Sequence, residues 1–224
     1  YNAIKSGNWY PLYDPAWYNG VEILRYWSPF PAYVMAFCQY LAGGSQFGAY
    51  LIYIGGVCFL GACVWPFIGR GFNRPYLGAF IGLLWFFMPN NLCAIFIEGN
   101  LARSLSMIFL PVFIYSVYKY LYNHKLRYIP LMVFTFLLME LCHLGYAGMV
   151  AIAVIIYGIV YMIQKGRKKA VLDVVISMIF GFMLLGIWLV ASLRGGITSL
   201  DNSENMANFF QNLWITINPF ERLT

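Results

Sequence analysis

The sequence predicts an all-α protein, a polytopic transmembrane helical bundle, and three observations carry that prediction. The chain is 62% hydrophobic and 20% aromatic, with only 10% charged residues and a mean hydropathy of +0.70. A soluble domain carries about 25% charged residues. Of its fourteen Lys/Arg residues, nine fall in three short clusters, Arg70–Arg74, Lys119–Arg127 and Lys165–Lys169, separated by apolar runs. Cytoplasmic loops retain Lys and Arg because cations cross the membrane against the potential at a high cost. Every cluster lands on one side when the apolar runs are counted as spans, so the parity agrees throughout.

The first 28 residues read as an external loop dense in Trp, Tyr, Pro and Gly. Residues 29–42 are apolar, but fourteen helical residues reach only about 21 Å against about 30 Å of hydrocarbon, which predicts an interfacial or re-entrant helix. Residues 47–68 are long enough to span and lead into the first basic loop. Residues 75–88 run back and stop at Pro89-Asn90-Asn91. Residues 101–121 return to the second basic cluster, and 128–141 leave it and stop at Glu140-Leu141-Cys142-His143. Residues 146–164 come in to the third cluster, and 170–193 go out to a polar external segment, 194–224. The reading is about six spans plus the partial helix, with the transmembrane core at 29–193. The chain also reads as a fragment of a longer protein, having no initiator Met and no evident end.

Both runs leaving the basic side, 75–88 and 128–141, are short, and polar or breaking residues follow at once. Non-helical backbone at membrane depth is tolerated where protein or a water-filled cavity satisfies it. The expectation is a cavity opening away from the basic side, floored by the turns at Pro89–Asn100 and Glu140–Tyr146. Bilayer thinning around short helices is the alternative.

The net charge of +6 does not point to nucleic acid, because the basic residues flank membrane spans beside anionic headgroups. Cys38, Cys58, Cys63, Cys93 and Cys142 lie in or beside apolar runs without CxxC spacing, and read as small hydrophobes. The Gly43-Gly44, Gly55-Gly56 and Gly195-Gly196 pairs read as turns or helix contacts, since no nucleotide-loop context surrounds them.

Chemistry concentrates on the side away from the basic clusters. Glu98-Gly99-Asn100 precedes a helix in which Asn100 is a plausible N-cap and Arg103 lies in the first turns. Arg103 can pair with Glu98, or add its fork to the positive helix end and hold a phosphate. Glu140 and His143, three apart, would share one face of a helix and could act as a base with its orienting partner, or as a hydrogen-bonded structural pair. A divalent cation is conceivable there, but no cluster of further ligands supports a metal. Asp14, Glu22 and Arg25 sit among Trp9, Tyr10, Tyr13, Trp17, Tyr18, Tyr26 and Trp27. Aromatic faces with carboxylates suit sugar binding, and aromatics also form the ordinary interfacial belt. Asp173, beside the last cluster, reads as a partner for its lysines.

Four stretches carry a family resemblance. GNWYPLYDPAWYNGVEILRYWSPFPAYVMAF (7–37) is similar to the first external loop of bacterial polytopic proteins built like GT-C glycosyltransferases. EGNLARSLSMIFLPVFIYSVYKYL (98–121) is similar to their external turn leading into a helix with a central Pro. LMELCHLGYAGM (138–149) resembles their His-containing end of a short helix, and FMLLGIWLVASLRGG (182–196) fits the close of the membrane core. The chain resembles most nearly the membrane family labelled "6-pyruvoyl-tetrahydropterin synthase-related". The soluble pterin enzyme of that name binds zinc through histidines, and two histidines on separate membrane segments cannot supply such a site.

The resemblance implies a GT-C-like enzyme in a bacterial inner membrane, with the N-terminal loop non-cytoplasmic. It would transfer a sugar from a polyprenyl-phosphate donor to an envelope glycan, lipid or protein. A loop carboxylate, Asp14 or Glu22, would act as general base. Arg103, with Arg25, would neutralise the phosphate leaving group, and Glu98, Asn100, Glu140 and His143 would line the substrate site. The family's leading acid usually follows a helix that precedes the present chain, so Asp14 and Glu22 are in the right loop without a matched position. The alternatives are a non-catalytic carrier of lipid-linked glycans and a membrane scaffold.

Overall fold

The computed structural model describes residues 1–11, Leu24 and 28–192. Among the described residues there is no strand, and four helices are long and apolar enough to cross a membrane. The chain divides into a unit of Tyr1–Leu185 and a second of Gly186–Thr224. The first unit contains both clusters of buried apolar side chains. The described part of the second is the last turns of one helix, ending at Ser192.

A helical turn, α1 (Asn2–Lys5), opens the chain where a loop was expected. Pro29 and Pro31 start α2 (Pro29–Leu41), where a missing N–H costs nothing because that donor has no helical partner. The helix ends at Gly43 and Gly44, both at positive φ (63° and 93°), which only glycine adopts freely. Ser45 caps α3 (Gln46–Gly71), its hydroxyl accepting from the Gly48 N–H at 3.1 Å. Pro75 at the first turn starts α4 (Pro75–Phe86), which packs back on α3. Gly69 and Gly78 make that crossing close: a Cβ added to Gly69 would lie 2.9 Å from the Gly78 Cα.

The stop at Pro89-Asn90-Asn91 is helical rather than irregular. A short α5 (Pro89–Leu92) leads into a π-helical turn, Cys93–Ile97. Buried Asn91 donates from Nδ2 to the Trp85 carbonyl at 2.6 Å, closing an open end of α4. The remaining helices are α6 (Leu101–Asn123), α7 (Tyr128–Cys142), α8 (Leu144–Lys165) and α9 (Lys168–Ser192). The two expected short runs are short: α4 and α7 have 12 and 15 residues, about 18 and 22 Å.

Helix α6 is the axis of the bundle. Half of its most apolar window is buried, against 11 to 33% for the other three long helices. One core cluster joins it to α7, α8 and α9 through Phe113, Val117, Met132, Phe136, Val154 and Val174. A second joins it to α2, α3 and the end of α7 through Cys38, Ala49, Tyr53, Leu105, Ile108 and Cys142. Two of its buried serines bond locally, Ser104 to the Leu101 carbonyl at 2.9 Å and Ser116 to the Phe113 carbonyl at 2.7 Å. Local bonding lets a hydroxyl enter an apolar interior without losing its hydrogen bond.

The three basic clusters meet at one end. Lys119 Nζ donates to the Gly71 carbonyl, tying the second cluster to the first. Arg167 meets the His124 ring, tying the third to the second. Asp173 takes the Tyr120 hydroxyl at 2.5 Å rather than a lysine. A phenol projecting from the adjacent helix reaches that carboxylate, whereas the exposed lysines extend outward.

Candidate functional site

Helical rise places the polar groups of the opposite end at defined depths. Phe113 packs on Phe136 with ring centroids 5.2 Å apart, which sets the antiparallel register of α6 and α7. One turn onward Glu140 is level with Phe109, and Phe30 at the start of α2 also packs on Phe109, at 6.4 Å. Phe109 lies eight residues inside α6, so α2 begins about 12 Å below the start of that helix. It then climbs until Cys38 joins Ala49 and Tyr53.

Ser28 just precedes this helix, and its Oγ donates to the Glu140 carbonyl at 3.4 Å. The Glu140 side chain is 2% exposed, and its Oε2 meets no partner. Ser106, also fully buried with an unpartnered Oγ, lies on the face of α6 that carries Phe113. By the same register it is level with His143. Two polar atoms without partners therefore sit along one interhelical seam. A buried polar group in that condition costs free energy and is uncommon.

Glu140 and His143 do not share a helix face. The helix stops at Cys142, and His143 turns to extended backbone (φ −154°, ψ 95°). Its Nδ1 accepts from the Tyr146 N–H at 3.1 Å, so the imidazole caps α8 and links two antiparallel helices. Burial lowers the His143 pKa below the ordinary histidine value; Arg103 adds to that effect and Glu98 opposes it. His143 is consequently neutral at pH 7, and both charged groups are close enough to act on it.

Those two groups stand at the start of α6. Gly99 takes a positive φ of 59°, and Asn100 accepts at Oδ1 from the Arg103 N–H at 3.0 Å, the N-cap read from the sequence. Arg103 Nη1 meets Glu98 Oε2 at 3.3 Å. Cys93 on the π-helical turn reaches Glu98 Oε1 at 3.6 Å. A cation in the first turn opposes the helix dipole, so this end of α6 concentrates positive charge where an anion is favoured. Glu98 is partly exposed, and an exposed pair contributes at most about 1 kcal/mol. Exchange of this carboxylate for another anion is therefore inexpensive.

The structure thus gathers Glu98, Asn100, Arg103 and His143 at one end of the bundle, with Glu140 buried beneath. Asp14, Glu22 and Arg25 lie outside the described residues. Sequence reasoning missed Ser28, Ser106 and Tyr146. Tyr146 stands three residues after His143, the spacing of an N-terminal capping contact, but histidine is an uncommon cap and gave no signal. His124, at the basic end, and His143 are separated by most of the length of α6. Among the described residues no group of three or more His, Cys, Asp or Glu is placed to hold a metal ion.

The model of a family described as the 6-pyruvoyl-tetrahydropterin synthase related domain, a membrane protein, matches residues 24–224. No curated protein and no solved structure matches the chain.

Proposed function

The chain belongs to the 6-pyruvoyl-tetrahydropterin synthase related family of membrane proteins, and on that footing we propose that it is a GT-C-type membrane glycosyltransferase. It uses a polyprenyl-phosphate-linked sugar as donor and a cell-envelope hydroxyl as acceptor. The basic end faces the cytoplasm of a bacterium, and the reaction takes place at the opposite end, in the outer part of the inner membrane. The observation that carries the reading is Arg103. It lies in the first turn of an Asn100-capped helix, away from all three basic clusters, with a partly exposed Glu98 as an exchangeable partner.

In the transfer, the bond between the sugar C1 and the phosphate oxygen breaks, and the acceptor oxygen bonds to C1. The acceptor proton passes to a loop carboxylate, Asp14 or Glu22, and polyprenyl phosphate leaves with its charge opposed by Arg103. Backbone N–H groups at the start of α6 add to that anion stabilisation. Neutral His143 accepts a backbone N–H and fixes the neighbouring chain, without adding a second cation.

The test is transfer by the purified full-length protein in lipid nanodiscs, following both sugar incorporation and release of polyprenyl phosphate. Arg103→Ala loses a charge-assisted contact, roughly a ten- to hundredfold drop, and Arg103→Lys loses less because charge survives without the fork. Full activity in Arg103→Ala overturns the phosphate role. Movement of intact lipid-linked sugar across the bilayer with no bond cleavage would make the protein a carrier instead.

A further inference from the structure

We propose that the recess between α3, α4 and α6 binds an anionic phospholipid of the leaflet that meets the basic end. The recess measures about 390 Å³ and is lined by apolar and aromatic side chains, among them Trp65, Phe72, Trp85, Pro111, Tyr115 and Tyr118. It is far from Arg103 and does not depend on the function proposed above.

Its shape has a physical origin. Gly69, Gly78 and Gly82 draw α3 and α4 together, and a Cβ on Gly82 would fall 2.8 Å from that of Trp65. The Trp65 and Trp85 rings, with centroids 5.7 Å apart, form the wall of the recess on α3 and α4. Pro111 lies within α6 at the inner limit of the recess, where a lost backbone bond bends a helix. Phe72, Ile114 and Tyr118 are each more than a third exposed, so the recess opens on the outer surface of the bundle. From Phe72 to Trp65, and from Tyr118 to Pro111, it runs about 10 Å by helical rise. Half of a hydrocarbon core is about 15 Å. The recess therefore has the length of much of one acyl chain in one leaflet.

Charge at the mouth selects the headgroup. Lys119 Nζ lies 4.3 Å from the Phe72 ring centroid and 5.6 Å from that of Tyr115, directly over the opening. Its one hydrogen bond among the described residues goes to the Gly71 carbonyl, which leaves ammonium protons for a phosphate. Exposed Arg70 and Arg74 stand on either side of Gly71, at the end of α3 and the start of α4. Among the described residues the one carboxylate at this end is Asp173, already engaged by Tyr120. A phosphodiester carrying net negative charge satisfies this mouth, and a zwitterionic headgroup does so less well because its own cation is repelled.

Tryptophan quenching by brominated lipid reads the occupant directly. The probe is the full chain in nanodiscs with Trp65 and Trp85 retained and the other five tryptophans replaced by Phe. Brominated phosphatidylglycerol is expected to quench at about fivefold lower mole fraction than brominated phosphatidylcholine, the contribution of one well-placed cation. Lys119→Gln is expected to abolish the difference while size-exclusion behaviour and helical circular dichroism stay unchanged. Ile114→Phe, which fills the recess, should reduce quenching by both lipids. Equal quenching by the two lipids overturns the proposal, as does a preference that survives Lys119→Gln. Tryptophans that no lipid reaches would mean that another part of the chain covers the recess, and overturn it too. Displacement by polyprenyl phosphate more effectively than by phosphatidylglycerol would assign the recess to a donor lipid instead.

Discussion

Lys119, Arg127 and Arg167 at the basic end each rest against a carbonyl, a phenol or an imidazole. Glu140, toward the other end, is buried with one carboxylate oxygen against nothing. Arg70 lies over Phe67 and Arg127 over Tyr128, so aromatic faces absorb charge that the lipid interface would otherwise strand. At the basic end the charges are met by partners within the fold. The other end holds Glu140 and Ser106 unpartnered beneath a pairing of Arg103 with an exposed acid. Polar groups left in that condition lower stability, and ionisable residues within a membrane default to function. The two ends therefore differ in how completely their polar groups are satisfied.

The largest expected effect is all-or-none and tests whether the two ends face opposite compartments. Single cysteines at Ser6 and Ser203, in a Cys-free background, should react with an impermeant thiol reagent in intact cells. A cysteine at Lys125 should react after lysis alone. Any other pattern breaks the comparison.

Next in size are two substitutions of opposite sign. Glu140→Leu removes an unsatisfied buried carboxyl, so the purified protein should melt higher, by about 1–3 kcal/mol of stability, while transfer activity falls. Tyr120→Phe at the basic end deprives Asp173 of its donor and should lower stability by about 1–2 kcal/mol with activity per folded molecule unchanged. If Glu140→Leu destabilises as Tyr120→Phe does, the two ends are alike in kind.

A smaller effect belongs to His143. Its pKa is lowered in the folded state by burial, so the unfolded chain binds a proton more readily. Stability should therefore fall as pH drops through and below about 6.5, the unfolded-state value, and be unaffected above it. His143→Asn keeps a capping side chain and should flatten that dependence in thermal melts between pH 5 and 8. The smallest effect is that of Glu98→Gln, which weakens a partly exposed pair and should change stability by less than about 1 kcal/mol. A larger loss would mean that Glu98 holds the turn itself, and that Arg103 is not readily released to a phosphate.

Much of the fold was legible because charge placement and span length obey strong constraints. Residues 47–68 and 146–164 became Gln46–Gly71 and Leu144–Lys165, and the short runs at 75–88 and 128–141 are short helices. Helix pairing was not legible, because lipid-facing and protein-facing sides of a span are equally apolar and leave little periodicity. One signal was available. Leu101–Asn123 has the lowest mean hydropathy of the four long helices, 1.5 against 2.0 to 2.4. Its Ser104, Ser106 and Ser116 are tolerable where protein rather than lipid surrounds them. Within the site, Asn100 was readable as a cap from its place before an apolar run. The break between Glu140 and Tyr146 was readable too, but the cap at His143 was not, since histidine seldom serves there. The π-helical turn at Cys93–Ile97 has no composition of its own by which to be read.

The close passage of Gly69 against Gly78 bears on how the protein is made. Twelve residues of α4 are too few to be recognised as a span when they emerge alone from the ribosome. They can enter the bilayer as the second arm of a hairpin whose first arm, α3, is already long enough. Glycine on both arms lets the backbones touch before any later helix has been synthesised. A bulky residue at Gly78 would then act during insertion, parting α4 from α3 before the rest of the chain is made.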